Sequence, residues 1–230
     1  MQAAYYLNPE GTTFYGSSDA ARYSYDVVPQ GRSLSEENQF NAKLAYSFDH
    51  GDLGFTKVGA SGQYGQLLNE GTGDTDSHSA YAGHVQGRYG GFGAKLEVAQ
   101  QTLNPPVDGN TDIVTMGAYG GTYSVASEHT VFSSSLSYRF PVDAGPISQI
   151  KPYYDYSLVT NKPVDSWEDN ESHVLGFLTS AGPLFVYTDL IISKNHPFNA
   201  PFAENFGDVM AQGISDEFRT AFNINIGLYF

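Results

Sequence analysis

Residues 217–230 read EFRTAFNINIGLYF, and in them Phe222, Ile224, Ile226, Leu228 and Phe230 alternate with Ala221, Asn223, Asn225, Gly227 and Tyr229. Strict period two is the pattern of a β-strand with one apolar and one polar face. The polar phase, which Arg219 joins, carries a guanidinium, amides and a phenol, so it wants water. The other phase is too uniformly apolar for an ordinary solvated side. The combination predicts a strand set between lipid and a wet lumen.

The same pattern recurs upstream. In residues 39–48, Phe40, Ala42, Leu44, Tyr46 and Phe48 oppose Asn41, Lys43, Ala45 and Ser47; a short polar turn at 49–52 then leads into a weaker strand over 53–68. Residues 80–103 read as two strands meeting at Gly90-Gly91, where the phase flips as a turn requires. Residues 131–140 and 150–158 alternate clearly, and 112–125 only weakly. Residues 173–180 and 184–194 read as a hairpin about 181–183. The expectation is an all-β, antiparallel up-and-down transmembrane β-barrel with roughly ten to twelve strands, each about as long as a tilted strand needs to cross a bilayer. It forms one domain over 1–230, with long loops near 9–37, 69–77, 104–111, 161–170 and 195–216. The last of these holds Phe198, Phe202 and Phe206, which predicts that it folds onto something.

Composition is compatible with this reading. The 230 residues average a mean hydropathy of −0.32, and no apolar run approaches the roughly 18 residues that a spanning helix needs. Barrel strands alternate and therefore average out to hydrophilic. Aromatic residues make up 14% of the chain and glycine supplies 25 positions, an excess suited to strands and tight turns. With no cysteine, neither a disulfide nor a thiol-bound metal is available.

The net charge of −14 argues against nucleic acid as a partner, and its distribution says more than its size. Lys43, Lys57, Arg88 and Lys95 fall in predicted strands on the polar phase, as do Arg139, Lys151 and Arg219. Of the acidic residues, Glu97, Asp155 and Asp189 fall within strands; the others belong to loops, turns and strand margins. A Lys or Arg facing lipid at mid-bilayer costs about 2–4 kcal/mol, so this placement predicts a water-filled lumen lined by the basic set together with Glu97 and Asp155. Such a lining attracts anions. Phe40, Phe48, Phe92, Phe140 and Tyr156 sit towards the ends of apolar phases, as interfacial girdles do. One conflict stands in the strand count: two crossing strands within 112–140 put the loop 69–77 among the short turns, and merging them repairs the parity.

The terminal FNINIGLYF resembles the assembly signal of bacterial outer-membrane β-barrels, which end in Phe after alternating apolar positions. The stretch 137–158, SYRFPVDAGPISQIKPYYDYSL, with LTSAGPLFVYTDLIISKNHPF over 178–198, resembles the C-terminal part of Gram-negative porins related to the phosphate-selective porins. The resemblance implies a bacterial outer-membrane protein, inserted by the barrel assembly machinery through Phe222, Ile224, Ile226, Leu228 and Phe230. It also implies passive diffusion of small hydrophilic or anionic solutes, and trimerisation. Porins of this kind have roughly 16 strands, so the chain is expected to be the C-terminal portion of a longer porin. No anion-binding motif of the family transfers residue by residue.

Catalytic patterns are weak. Gly59-Ala60-Ser61-Gly62-Gln63 lacks the last glycine of a nucleophile elbow, and Asp74-Thr75-Asp76 opens like a calcium loop but lacks its Gly and closing Glu. The six His residues are scattered, so neither an enzyme, a cofactor nor a metal is expected. Lys151 and Asp155, with Asp189, are expected as lumenal ion pairs. The alternatives are a non-conducting structural or adhesive barrel and a soluble β-sandwich or lipocalin-like binder, in which alternation is equally normal.

Overall fold

The computed structural model describes residues 2–6, 26–27, 34–69, 71–118, 121–196 and 217–229. In chain order the strands are β1 (Gln2–Tyr6), β2 (Asp26–Val27), β3 (Leu34–Asp49), β4 (Gly54–Asn69), β5 (Thr75–Tyr89), β6 (Phe92–Leu103) and β7 (Ile113–Ala118). They continue with β8 (Gly121–Ala126), β9 (Glu128–Tyr138), β10 (Phe140–Ala144), β11 (Ile147–Thr160), β12 (Asn170–Ala181), β13 (Leu184–Lys194) and β14 (Arg219–Leu228). Phe230 and the aromatic loop positions Phe198, Phe202 and Phe206 lie outside the described residues.

The architecture is all-β. One antiparallel up-and-down sheet runs β1-β3-β4-β5-β6-β9-β11-β12-β13-β14, with β10 continuing the line of β9 along β11; β2, β7 and β8 form a separate small sheet. No pairing joins the edge strands β1 and β14 among the described residues, so the sheet is open.

Register keeps the two phases apart across the whole sheet. Phe40 pairs with Tyr64, Tyr46 with Val58, Val58 with Val85, and Val85 with Leu96. At the other side Tyr154 pairs with Leu136 and Leu175, Leu175 with Leu190, and Leu190 with Phe222. One face is therefore apolar from edge to edge and exposed: Leu44 is 66% accessible, and Phe222 and Ile226 are each 67%. The opposite face is concave. Lys43 on β3 and Ser172 on β12 border one cavity although six strand steps separate them, about 29 Å along a flat sheet at ~4.8 Å per step. Only strong curling about the polar face brings them together.

The ends of the sheet differ. Residues 50–53, which include the 3-10 turn Gly51–Leu53, together with 90–91 and 182–183, are short turns at one end, where the β10–β11 hairpin also turns. The strand ends that bound the connections 7–33, 70–74, 104–127, 161–169 and 195–218 all lie at the other. The parity conflict disappears because residues 112–140 supply one crossing strand. β7 and β8 leave the main sheet to pair with each other and with β2, while β6 pairs directly with β9. Pro105 and Pro106 lack the N–H that a continuing ladder needs. The chain instead turns back over the ends of β5 and β4, where Asn104 N donates to Ser77 O at 3.0 Å and Asn69 Nδ2 donates to Pro106 O at 3.0 Å. Leu103 N donates to Ser127 O and Ser127 N to Asp112 O, which closes the stem.

Several strands are longer than the alternation alone indicated. β3 and β4 each have 16 residues, so 34–37 of the expected loop 9–37 are strand, and the expected loop 69–77 shrinks to 70–74. At the long-connection end the inward positions are closed to solvent: Leu67, Leu103 and the imidazole of His78 are at most 2% exposed, as is Val114 at the foot of the β7–β8 hairpin. This is the main apolar core of the described residues, and it is small.

On the concave face Gly176 is a point of close approach. Tyr153 and Asp189 flank it in register, and Tyr153 OH crosses β12 to donate a short hydrogen bond to Asp189 Oδ1; Asn223 Nδ2 donates to Asp189 Oδ2 at 3.1 Å. A Cβ at 176 would collide with Asp189 Oδ1 and come within 2.6 Å of the Tyr153 ring. Gly176→Ala is expected to lower stability by about 1–3 kcal/mol through overpacking and loss of this bond, read as an earlier urea midpoint.

Candidate functional site

Extended strands hold Lys57, Arg88, Lys95, Glu97, Asp155, Asp189 and Arg219 on the concave wall in three in-register rows. The central one runs Ser47, Lys57, Gln86, Lys95, Ser135, Asp155, Val174, Ile191 and Ala221. Two residues towards the long connections, His84 pairs with Glu97, and Ser133, Ser157, Ser172 and Ser193 lead on to Arg219. Two residues the other way, Arg88 pairs with Gly93, and Ser137, Tyr153, Gly176, Asp189 and Asn223 follow.

A cavity of about 490 Å³ on this face is bordered by Lys43, Lys57, His84, Lys95, Glu97 and Asp155, with serines between them. A smaller one of about 170 Å³ adjoins it towards the short turns and is bordered by Arg88, Arg139 and Lys151; the two share Gln86, Lys95 and Ser135. His84 lies flat over Gly59, where a Cβ would stand 2.6 Å from the imidazole. A large side chain is thus accommodated without projecting into the hollow.

The expected lining residues meet in these two cavities with one exception. Arg219 borders neither; it stands at the long-connection end of β14, with Nη2 3.7 Å from Glu217 Oε2. The expected ion pairing of Lys151 with Asp155 does not form. Four residues along a strand span about 13 Å, too far for an ion pair, and Lys151 Nζ instead lies 5.9 Å from the centroid of the Tyr153 ring. Asp189 is buried and held by Tyr153 and Asn223, so it braces four neighbouring strands rather than acting beside Asp155. Among the described residues, Lys43, Lys57, Lys95, Glu97 and Asp155 make no ion pair with one another or with other groups. Among the described residues, these charges on the wall have no counter-charge in contact.

The Tyr153–Asp189–Asn223 brace was not anticipated from the sequence. Its signal is visible only in hindsight, as a glycine in register between an aromatic residue and a carboxylate. Ser61 of the near-elbow lies within β4, with no strand-to-helix turn. Asp76 of the near-calcium loop accepts from Ser77 N at 2.6 Å. No protein-family model, no curated protein and no solved structure matches this chain.

Outside the strands, Lys162 ties the 161–169 connection together. Its Nζ donates to Glu168 O at 2.5 Å and to Asn170 Oδ1, while Asn170 Nδ2 donates to Asn195 O and Asn195 Nδ2 to Asp169 O. Burial pushes its ammonium down to about 8 from the ordinary 10.5, against the attraction of Asp169 and Glu168. Between those values the unfolded chain binds more proton than the folded one, so this residue's contribution to stability rises with pH across that window. Lysine ¹³Cε NMR is expected to show the Lys162 signal titrating near pH 8 and moving to the ordinary range in urea.

Proposed function

We propose that this chain forms the wall of a bacterial outer-membrane pore that admits small hydrophilic solutes by passive diffusion and prefers anions to cations. The observation that carries this reading is the inversion of the molecule. Its large apolar side chains are mostly outside, on one continuous face, and its charged side chains line a concavity. In water such an apolar face would be far larger than a soluble protein exposes; against lipid it is the favourable arrangement. Rings support it: Tyr46 and Phe48 lie 4.8 Å apart, and Tyr138 and Phe140 4.5 Å, all on the apolar face near the short-turn end, where an interfacial girdle would sit.

Separation of short turns from long connections is also what an outer-membrane barrel requires. The path through the sheet has an even number of strands, so β1 and β14 run antiparallel and are able to pair. Free strand edges in hydrocarbon cost several kcal/mol per unpaired group, which favours a closed form in the membrane. The apolar core where the 104–127 connection folds back over β4 and β5 favours a second reading, a non-conducting barrel whose mouth is obstructed.

Planar-bilayer recording separates the two. A pore gives discrete conductance with a reversal potential on the anion side, and Lys95→Gln lowers the anion-to-cation permeability ratio roughly two-fold; an obstructed barrel gives no steps. A soluble sheet is excluded by a different measurement. Ile224→Lys, at mid-strand on the apolar face, is expected to cost about 2–4 kcal/mol in urea unfolding from phospholipid bilayers, whereas a face turned to water would change by less than about 0.5 kcal/mol.

A further inference from the structure

The two regions that a solute would meet in series carry opposite charge. The long connections and the strand ends beside them expose carboxylates, among them Asp74, Asp76, Asp112, Glu128, Asp165 and Glu168. Below them Lys43, Lys57 and Lys95 border the main cavity. At physiological ionic strength fields of exposed charges reach about 8 Å, so a small solute feels each region in turn. A monoanion is repelled first by the rim and a monocation later by the lysines. A solute with one charge of each sign and no net charge meets neither barrier to first order.

The cavity itself also presents both signs. Asp155 stands in the same row as Lys57 and Lys95, two strand steps beyond Lys95, or about 10 Å at ~4.8 Å per step. Only Ser135, a small side chain, lies between them. Glu97 lies in the next row. None of these groups is paired with another described residue, so each ammonium and each carboxylate is open to a solute's counter-charge. A small dipolar molecule, with water at its ends, spans a separation of this size.

Given the pore reading, on which this rests, we infer that the favoured organic solutes are small net-neutral zwitterions bearing one carboxylate and one ammonium group, ahead of monoanions of the same size. The test is influx of labelled glycine, glycolate and erythritol into phosphatidylcholine liposomes containing the full chain. At low salt glycine is expected to enter several-fold faster than glycolate, with the advantage shrinking in half-molar salt as the rim is screened. Asp155→Asn is expected to reduce the glycine-to-glycolate ratio. Should that variant fail to assemble, the salt dependence of the wild-type ratio decides alone. Erythritol influx with glycolate equal to or faster than glycine overturns the solute assignment and leaves the pore standing. Absence of erythritol influx overturns the pore, and the solute assignment falls with it.

Discussion

Strand register is the constraint on which the rest of this structure depends. Because side chains alternate strictly along a strand, a slip of one residue between any two neighbours exchanges its two faces. Such a slip at β6 would carry Lys95 to the apolar side and bring Leu96 into the hollow beside Gln86. The energetic penalty is double, since a charge loses water while an apolar side chain gains it. Each neighbour in the path inherits the phase from the last, so Phe40 on β3 and Phe222 on β14 share a face although no contact joins them.

Curling adds a second requirement, that the concave wall be thin. Large inward side chains would crowd as the strands bend towards each other. The wall answers with serine rows and with glycines at the points where a bulky neighbour must lie flat. His84 rests over Gly59, and Tyr153 crosses Gly176 to reach Asp189. The second of these also links β11, β13 and β14 by side chains, adding to backbone ladders that alone leave the wall free to twist. Where the wall does turn apolar, at Leu67 and Leu103, the chain folds back to cover it. Stability and clearance are thus served by different stretches of the same face.

Charge is distributed along the axis rather than across the surface at random. Among the described residues most carboxylates sit at the long-connection end, and Lys43, Lys57, Arg88, Lys95, Arg139 and Lys151 sit within the wall. An overall charge therefore hides two regions of opposite sign, the strand ends beside the long connections and the concave wall. Lys162, Lys194 and Arg219 stand at the acidic end; the first of them serves the loop itself. Its ammonium is held inside the loop by a carbonyl and an amide, where it serves the shape of the connection.

Period-two alternation was sufficient, by itself, to define which residues share a face, because the pleat leaves a side chain only two directions. Lys43, Lys57, Arg88, Lys95 and Asp155 were placed together on those grounds, and the strand over 184–194 was legible to its ends. Alternation carries no information about partners, however. That β6 pairs with β9, past the hairpin of β7 and β8, depends on hydrogen bonds that join Leu103 to Ser127, Asn104 to Ser77 and Ser127 to Asp112, groups 15 to 27 residues apart in the chain. For the same reason Lys151 and Asp155 looked paired in the chain and are apart in space, and Arg219 shares the phase of the lysines but stands at the rim. The sequence determined the faces; only the tertiary structure decided the neighbours, since strand pairing is a long-range choice and facing is a local one.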